Sequence, residues 1–342
     1  MKNLPRNRRI GLVLTILVVI ISVLGLITAP YFFLTVEEPS MIKIEKNGDS
    51  SSVKREICSA VGEKMGDKIA DLLTLVGVEW QSCYGAYEVN PGDSPLKVAR
   101  RIRNHQRSAV KVTLRSCRTI DDFCDFMGDK LMLSADSLRA ALVNEEVCAR
   151  YNKTPQTIIG LFLPDTHEIY WHTSIDALLD KLAENYQSFW NSDRKAKAKS
   201  LGLSEDEVIT VASICEEESN VMSDRGIIGR LYINRLRKGM LLQADPTVKF
   251  AIGDFTIKRI AGEMLHTDSP YNTYMYKGLP PGPIRMVDKR TIDAIFSAPD
   301  NDYIYMCAKE DFSGKHNFTA SYAEHQANAR RYQKALNERG IK

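Results

Sequence analysis

The chain has 342 residues, 44% hydrophobic and 26% charged, the composition of an ordinary globular protein long enough for about two domains. Its formal charge of +3 comes from Lys2, Arg6, Arg8 and Arg9 ahead of the first apolar run, and the remainder carries 42 basic against 43 acidic residues. That balance leaves no electrostatic footprint for nucleic acid.

Residues 10–36 hold no charged side chain, a run of 27, where ~20 apolar residues suffice to cross the hydrocarbon core as a helix. A cleaved signal has a shorter apolar region of ~7–15 residues and a small-x-small site after it, and neither is evident. The sequence therefore predicts an uncleaved, single-pass membrane anchor over 10–36. With the basic segment 1–9 before it and Glu37 and Glu38 after it, the positive-inside bias leaves the N-terminus in the cytoplasm and everything beyond about residue 37 exported.

After a polar linker at 45–52 the periodicity predicts a helix over 53–80. The stretch GAYEVNPGDSPLKVARRIRN, 85–104, then reads as an alternating strand, a Pro-Gly-Asp turn and a helix capped by Asp93 or Ser94. A strand at 109–114 follows. Strand, turn, helix and strand resemble the start of a LysM-like module, a small fold often associated with glycan binding. Helices are expected at 120–131, 134–150 and 174–191, with 158–171 as a loop with strand-like ends. Helices at 204–219 and 223–238, a Gly/Pro-rich stretch at 268–285, a helix at 289–297, a strand at 303–308 and a helix at 321–337 complete the chain. The fold class expected is α+β: a transmembrane helix, a LysM-like module with flanking helices within 37–155, and a larger mixed α+β domain over 156–342.

All seven cysteines lie beyond the apolar run, their number is odd, and no C-x-x-C occurs. At least one is unpaired within the chain, and burial as small apolar side chains is the expected role of most. The six histidines are scattered and His167-Glu168 lacks an H-E-x-x-H frame, so neither a metal site nor a cofactor is expected.

Residues 212–219, ASICEEES, end an apolar run on three glutamates. Ser204 and Glu207 fit a capping box, which starts the helix near Ser204. On a wheel of roughly 100° per residue, Glu217 faces away from the apolar arc and Glu216 lies on its flank near Ile209. Glu218 falls between Val211 and Ile214 and alone shares the apolar face. A carboxyl pressed against apolar surface is harder to ionise and so becomes a proton donor near neutral pH. Acidic runs at helix ends are more often simply solvated.

ASICEEES closely resembles the A-S-I-[IV]-E-K-E-T signature of the endolytic murein transglycosylases, the MltG or YceG-like family. Further blocks agree in order: GLFLPDTHEIY (160–170), YINRLRKGMLLQADPTV (232–248), SPYNTYMYKGLPPGPI (269–284) and YIYMCAKEDFSGKHNF (303–318). The resemblance spans the chain from the anchor to the end. It implies that Glu218, directly before Ser219, is the catalytic residue, that Glu216 supports it, and that Glu217, standing for a lysine, is dispensable. Three positions depart from the pattern: Cys215 for an aliphatic residue, Ala244 for Ser or Thr, and Ile159 for Glu.

The activity implied is cleavage of the β-1,4 bond between MurNAc and GlcNAc in peptidoglycan. The leaving oxygen needs a proton from a raised-pKa carboxyl, and the sugar's own C6 hydroxyl then closes a 1,6-anhydro ring. Asn234, Gln243, Asp245, Thr247, Tyr271, Asn272 and Tyr274 are the candidates for holding glycan or supporting the site. Turn chemistry is the competing role for Gln243, Asp245 and Asn272, and core packing for the tyrosines. Two other functions stay open: a hydrolytic muramidase with Asp245 as second carboxylate, and a non-catalytic peptidoglycan-binding scaffold. The resemblance further implies nascent glycan strands as substrate, an inner-membrane location with the catalytic domain outside the cytoplasm, and peptidoglycan synthases as neighbours.

Overall fold

The computed structural model describes residues 6–340; Lys2 of the basic segment lies outside them. Two compact units emerge. The first runs through Val112 and takes in Lys130–Met132 and Glu168–Thr173; the second holds Thr113–Asp129, Leu133–His167 and everything from Ser174 onward.

In the first unit α1 (Arg6–Phe33) contains a stretch, Ile10–Phe33, long and apolar enough to cross a membrane, none of it buried by protein. The helix ends three residues short of the expected span. Leu34 and Val36 leave it to pack on the core, and Val36 exchanges backbone hydrogen bonds with Gly92 and Asp93. Strand β1 (Ser40–Ile44), which the sequence did not signal, follows. The helix expected over 53–80 is instead two, α2 (Ser50–Val61) and α3 (Glu63–Leu75), because Gly62 takes φ 82° and breaks the ladder between them.

Strand β2 (Gly85–Val89) pairs antiparallel with β1, Ile42 opposite Tyr87. α4 (Pro95–Arg103) is capped by Ser94, whose side chain accepts from the Lys97 N–H, with Pro95 at its first position. Its neighbour Asp93 is buried and bridges Arg101 and Lys97. β3 (Ala109–Thr113) stands where expected but pairs with β4 (Thr166–Tyr170), not with β2. Ile42, Ile44, Tyr87, Val89, Val98 and Ile102 meet α2 and α3 in one apolar core.

In the second unit the expected helix at 134–150 is two pieces, α6 (Ala135–Leu142) and α7 (Glu145–Ala149), after α5 (Ile120–Lys130). The Asn144 side chain accepts from two N–H groups and starts the second piece. α8 (Ile175–Phe189) agrees with its expected range, whereas α9 (Ser192–Leu201) is additional. Its SDRKAKAKSL has little apolar period to announce it, and Asn191 and the left-handed Gly202 supply its caps.

α10 (Glu205–Glu218) begins at the expected capping box, with Ser204 and Glu207 bonded reciprocally. It packs against α9, α11 (Met222–Arg237), α12 (Asp245–Ile252) and α13 (Lys289–Ser297), so every residue from Val208 to Glu216 is buried. A helix enclosed on all sides has no solvated face, and the wheel's division into apolar and exposed arcs fails there. An antiparallel hairpin of β5 (Tyr305–Ala308) and β6 (His316–Thr319), then α14 (Tyr322–Glu338), close the unit.

Candidate active site

Glu218 is the last residue of α10, where the helix leaves the packed interior, and its side chain is partly open to solvent. The Tyr232 hydroxyl, delivered by α11, donates to Glu218 Oε1 across 2.8 Å. Burial pushes the Glu218 carboxyl up to about 7 from an ordinary 4.5. The Asp245 carboxylate pushes the same way, while the Tyr232 hydrogen bond and the charges of Lys249 and Arg235 pull it down. Burial together with the Glu218 charge raises the Tyr232 hydroxyl well above its usual range, so it remains a donor.

Asp245 stands at the first position of α12, and the Tyr274 hydroxyl donates to its Oδ1 at 2.6 Å. Two acid and tyrosine pairs are thus brought together from four separate segments. Arg235, buried on α11, secures that arrangement. It donates to the Leu242 carbonyl at 2.7 Å, three residues before Asp245, and to the Ile304 carbonyl at the start of the hairpin.

Glu216 is the most deeply buried of the run, at 5% exposure, rather than lying on an open flank. It accepts from the Asp288 N–H at 2.8 Å and the Thr291 hydroxyl at 2.7 Å, with Arg225 and Arg285 within 3.7 and 3.4 Å. Glu217 is engaged as well, held by Arg285 at 2.6 Å and by both arms of Arg118 at 2.9 and 3.1 Å. The helix end that presents Glu218 is therefore locked by charge pairing on its other two glutamates.

The remaining candidates divide. Tyr271 is half-buried and its ring meets Phe250 at 4.8 Å. Gln243 is exposed, at a left-handed φ of 51°. Thr247 and Asn272 are fully buried with their polar groups turned inward: Thr247 bonds the Ala244 carbonyl and the Thr273 hydroxyl, and Asn272 donates to the carbonyls of Leu265 and Thr267. They build the turn that carries Tyr274. Asn234 likewise faces protein, donating to the carbonyls of Asn301 and Tyr303.

Sequence reasoning overlooked Tyr232, which sits between the buried Leu231 and Ile233 and looks like core. Nor did it find Arg225, Arg285 and Arg118, whose partners lie 9, 68 and 99 residues away in the chain, beyond any local pattern.

The loop 278–284 closes over the helix: the Ile284 N–H donates to the Ser213 hydroxyl at 3.0 Å, and a Cβ on Gly282 would lie 2.1 Å from the Gln156 carbonyl oxygen. The three departures are all buried. Cys215, Ala244 and Ile159 are 0%, 0% and 4% exposed, so each packs as an apolar residue. All seven cysteines are free thiols. In the first unit Cys58, Glu63 and Asp67 offer atoms within 4.8 Å of one another, with Asp67 bound to Lys54.

The YceG-like family model matches residues 43–331 of the chain. The chain belongs to the YceG-like family. A relative named endolytic murein transglycosylase in Bacillus subtilis (strain 168) is 34% identical over 167 residues, covering 49% of this chain and 45% of the relative. One of the same name in Streptococcus pneumoniae serotype 2 (strain D39) is 26% identical over 221 residues, or 61% of this chain and 38% of the relative. The chain thus spans less than half the length of these curated relatives. A 2.6 Å crystal structure of a YceG-like protein from Listeria monocytogenes superposes with a TM-score of 0.55 at 22% identity, over 85% of this chain and 99% of that one. At that identity the likeness speaks for the fold.

Proposed function

We propose that this YceG-like protein is an endolytic murein transglycosylase that cuts the MurNAc-GlcNAc β-1,4 bond of nascent peptidoglycan and leaves a 1,6-anhydroMurNAc end. The observation that carries the reading is the Glu218 carboxyl, raised to about 7 by burial and by Asp245 and therefore partly protonated near neutral pH. The relatives named for this activity support it.

Glu218 donates its proton to the glycosidic oxygen as the bond to C1 breaks, and the GlcNAc hydroxyl departs. The resulting Glu218 carboxylate takes the proton from the C6 hydroxyl as that oxygen bonds to C1. The residue ends protonated, ready for another turn, with no water consumed. Tyr232, a permanent donor, steadies the carboxylate formed between the two steps. Asp245 holds negative charge beside the oxocarbenium-like transition state.

One observation favours a hydrolytic alternative: Asp245 is near enough for its charge to act on Glu218, and a paired carboxylate is the usual requirement of a hydrolase. The products decide. Full-length protein in detergent and its Glu218→Gln variant, given uncross-linked glycan strands, are compared by mass spectrometry. Anhydro ends from the parent alone support the proposal, and reducing ends heavier by one water would replace it with hydrolysis.

The apolar helix supports a single-pass inner-membrane anchor with the N-terminus in the cytoplasm. In this reading the second unit is the catalytic domain, the first carries a LysM-like glycan-binding module, and synthases are neighbours that supply the strand.

A further inference from the structure

The first unit meets its apolar helix without a linker. Tyr31, Phe32 and Phe33 end α1 as an aromatic group of the kind that sits at the level of lipid headgroups, with Phe33 81% exposed. Leu34, the next residue, already packs on the core of the unit, and α1 lies against α3 and α4. The Tyr31 hydroxyl donates to Asp71 at 3.1 Å, and the Lys68 ammonium stands 4.9 Å from the centre of the Tyr31 ring.

Lys68, Asp71 and Leu75 share one stripe of α3, within about 60° at ~100° per residue. The stripe that touches Tyr31 therefore ends on Leu75, roughly 6 Å along the helix from Asp71. Leu75 is 80% exposed and the adjoining Val76 is exposed as well. Beyond α1 these two and Tyr170 are the exposed large apolar side chains among the described residues of this unit. Arg103 borders the same tip, lining a cleft of about 310 Å³ with Val76, Gly77 and Val78, and Arg100 lies one turn before it on the same stripe of α4. Lys97 and Arg101 are taken up by the buried Asp93. Arg100 and Arg103 are exposed and form no ion pair among the described residues, and Glu79, which also lines the cleft, leaves the rim one positive charge in excess.

We propose that this face of the first unit lies on the membrane that α1 enters, with Leu75 and Val76 seated at the boundary of the acyl chains and the guanidiniums of Arg100 and Arg103 on the phosphates of anionic lipid. The proposal rests on the reading of α1 as a membrane anchor. With no linker after Phe33, the bilayer is the surface that the Tyr31 stripe continues onto, and an apolar tip rimmed by guanidiniums matches acyl chain below phosphate. The contact fixes the tilt of the unit on the surface.

The test uses full-length protein carrying Cys117→Ser and Cys307→Ser, since the five other thiols are buried. A bimane label is placed at Leu75→Cys or, separately, at Phe33→Cys, and the protein is reconstituted in mixed phosphatidylcholine and phosphatidylglycerol vesicles, with one lipid or the other bearing a nitroxide near its headgroup. The Leu75 label should be quenched by both, about fivefold more strongly by the phosphatidylglycerol nitroxide, the local enrichment that one net surface cation supplies. Arg100→Gln with Arg103→Gln, both at surface positions, should remove that preference while quenching by phosphatidylcholine persists and the thermal melt stays in place. A Leu75 label left unquenched while the Phe33 label is quenched would overturn the proposal and leave the anchor standing, the result expected if water or a protein partner covers this face. Equal quenching of the Leu75 label by the two lipids would overturn it as well. A Phe33 label quenched by neither would remove the anchor reading itself.

Discussion

The Tyr232 hydroxyl donates to Glu218 Oε1 at 2.8 Å, joining the eleventh residue of α11 to the last residue of α10. This contact works against the burial that raises the Glu218 carboxyl. The balance between the two sets where the acid titrates, and it can be moved in either direction.

Replacing Tyr232 by Phe removes a hydrogen bond to the charged form, so the Glu218 pKa rises and the alkaline limb of the activity profile moves to higher pH. Stability falls by about 1 kcal/mol. A limb that stays in place would show that the hydroxyl does not act on Glu218.

Asp245→Asn works the other way. Its charge favours the protonated acid, so its loss draws the limb toward lower pH while Asn still accepts from Tyr274. Anhydro products should persist. Complete loss of cleavage in this variant would instead make Asp245 the second carboxylate of a hydrolase.

Glu218→Gln should abolish cutting and stabilise the fold at alkaline pH. The carboxyl is raised from 4.5 to about 7 in the folded chain. Its contribution to stability is therefore full below the unfolded value and is lost as pH rises through the folded one. Against the parent the variant should gain on the order of 3 kcal/mol at about pH 8 and little at about pH 4, a difference that thermal melts at the two pH values measure.

Glu216→Ala should destabilise by roughly 3–5 kcal/mol, because it takes the buried carboxylate from Arg225 and leaves the Asp288 N–H and the Thr291 hydroxyl without their acceptor, while Arg285 keeps Glu217. Urea denaturation checks this. A loss below about 1 kcal/mol would mark the cluster as no more than a surface ion pair.

Gly282→Ala places a Cβ 2.1 Å from the Gln156 carbonyl oxygen, which is backbone and cannot rotate away. The expected cost is about 1–3 kcal/mol, read from the melting temperature. An unchanged melting temperature would mean that loop 278–284 moves freely off its neighbour.

Local chemistry in the sequence determined much of this protein. The apolar run, the capping box at Ser204 and Glu207, a cap at Asp93 or Ser94 before Pro95, of which the fold uses Ser94, and the positions of most helices depend on residues within one or two turns of each other, and such contacts are legible from spacing alone. The acidic motif at 216–218 was visible for the same reason. What the tertiary structure decided was the environment of each glutamate. The wheel made Glu216 a flank and Glu217 an exposed face, but enclosure of α10 by four other helices removed any exposed face and called in Arg225, Arg285 and Arg118 as counter-charges. Burial and the partners Tyr232 and Asp245 come from distant segments, and a pKa is set by what surrounds the group in space, which no local period encodes.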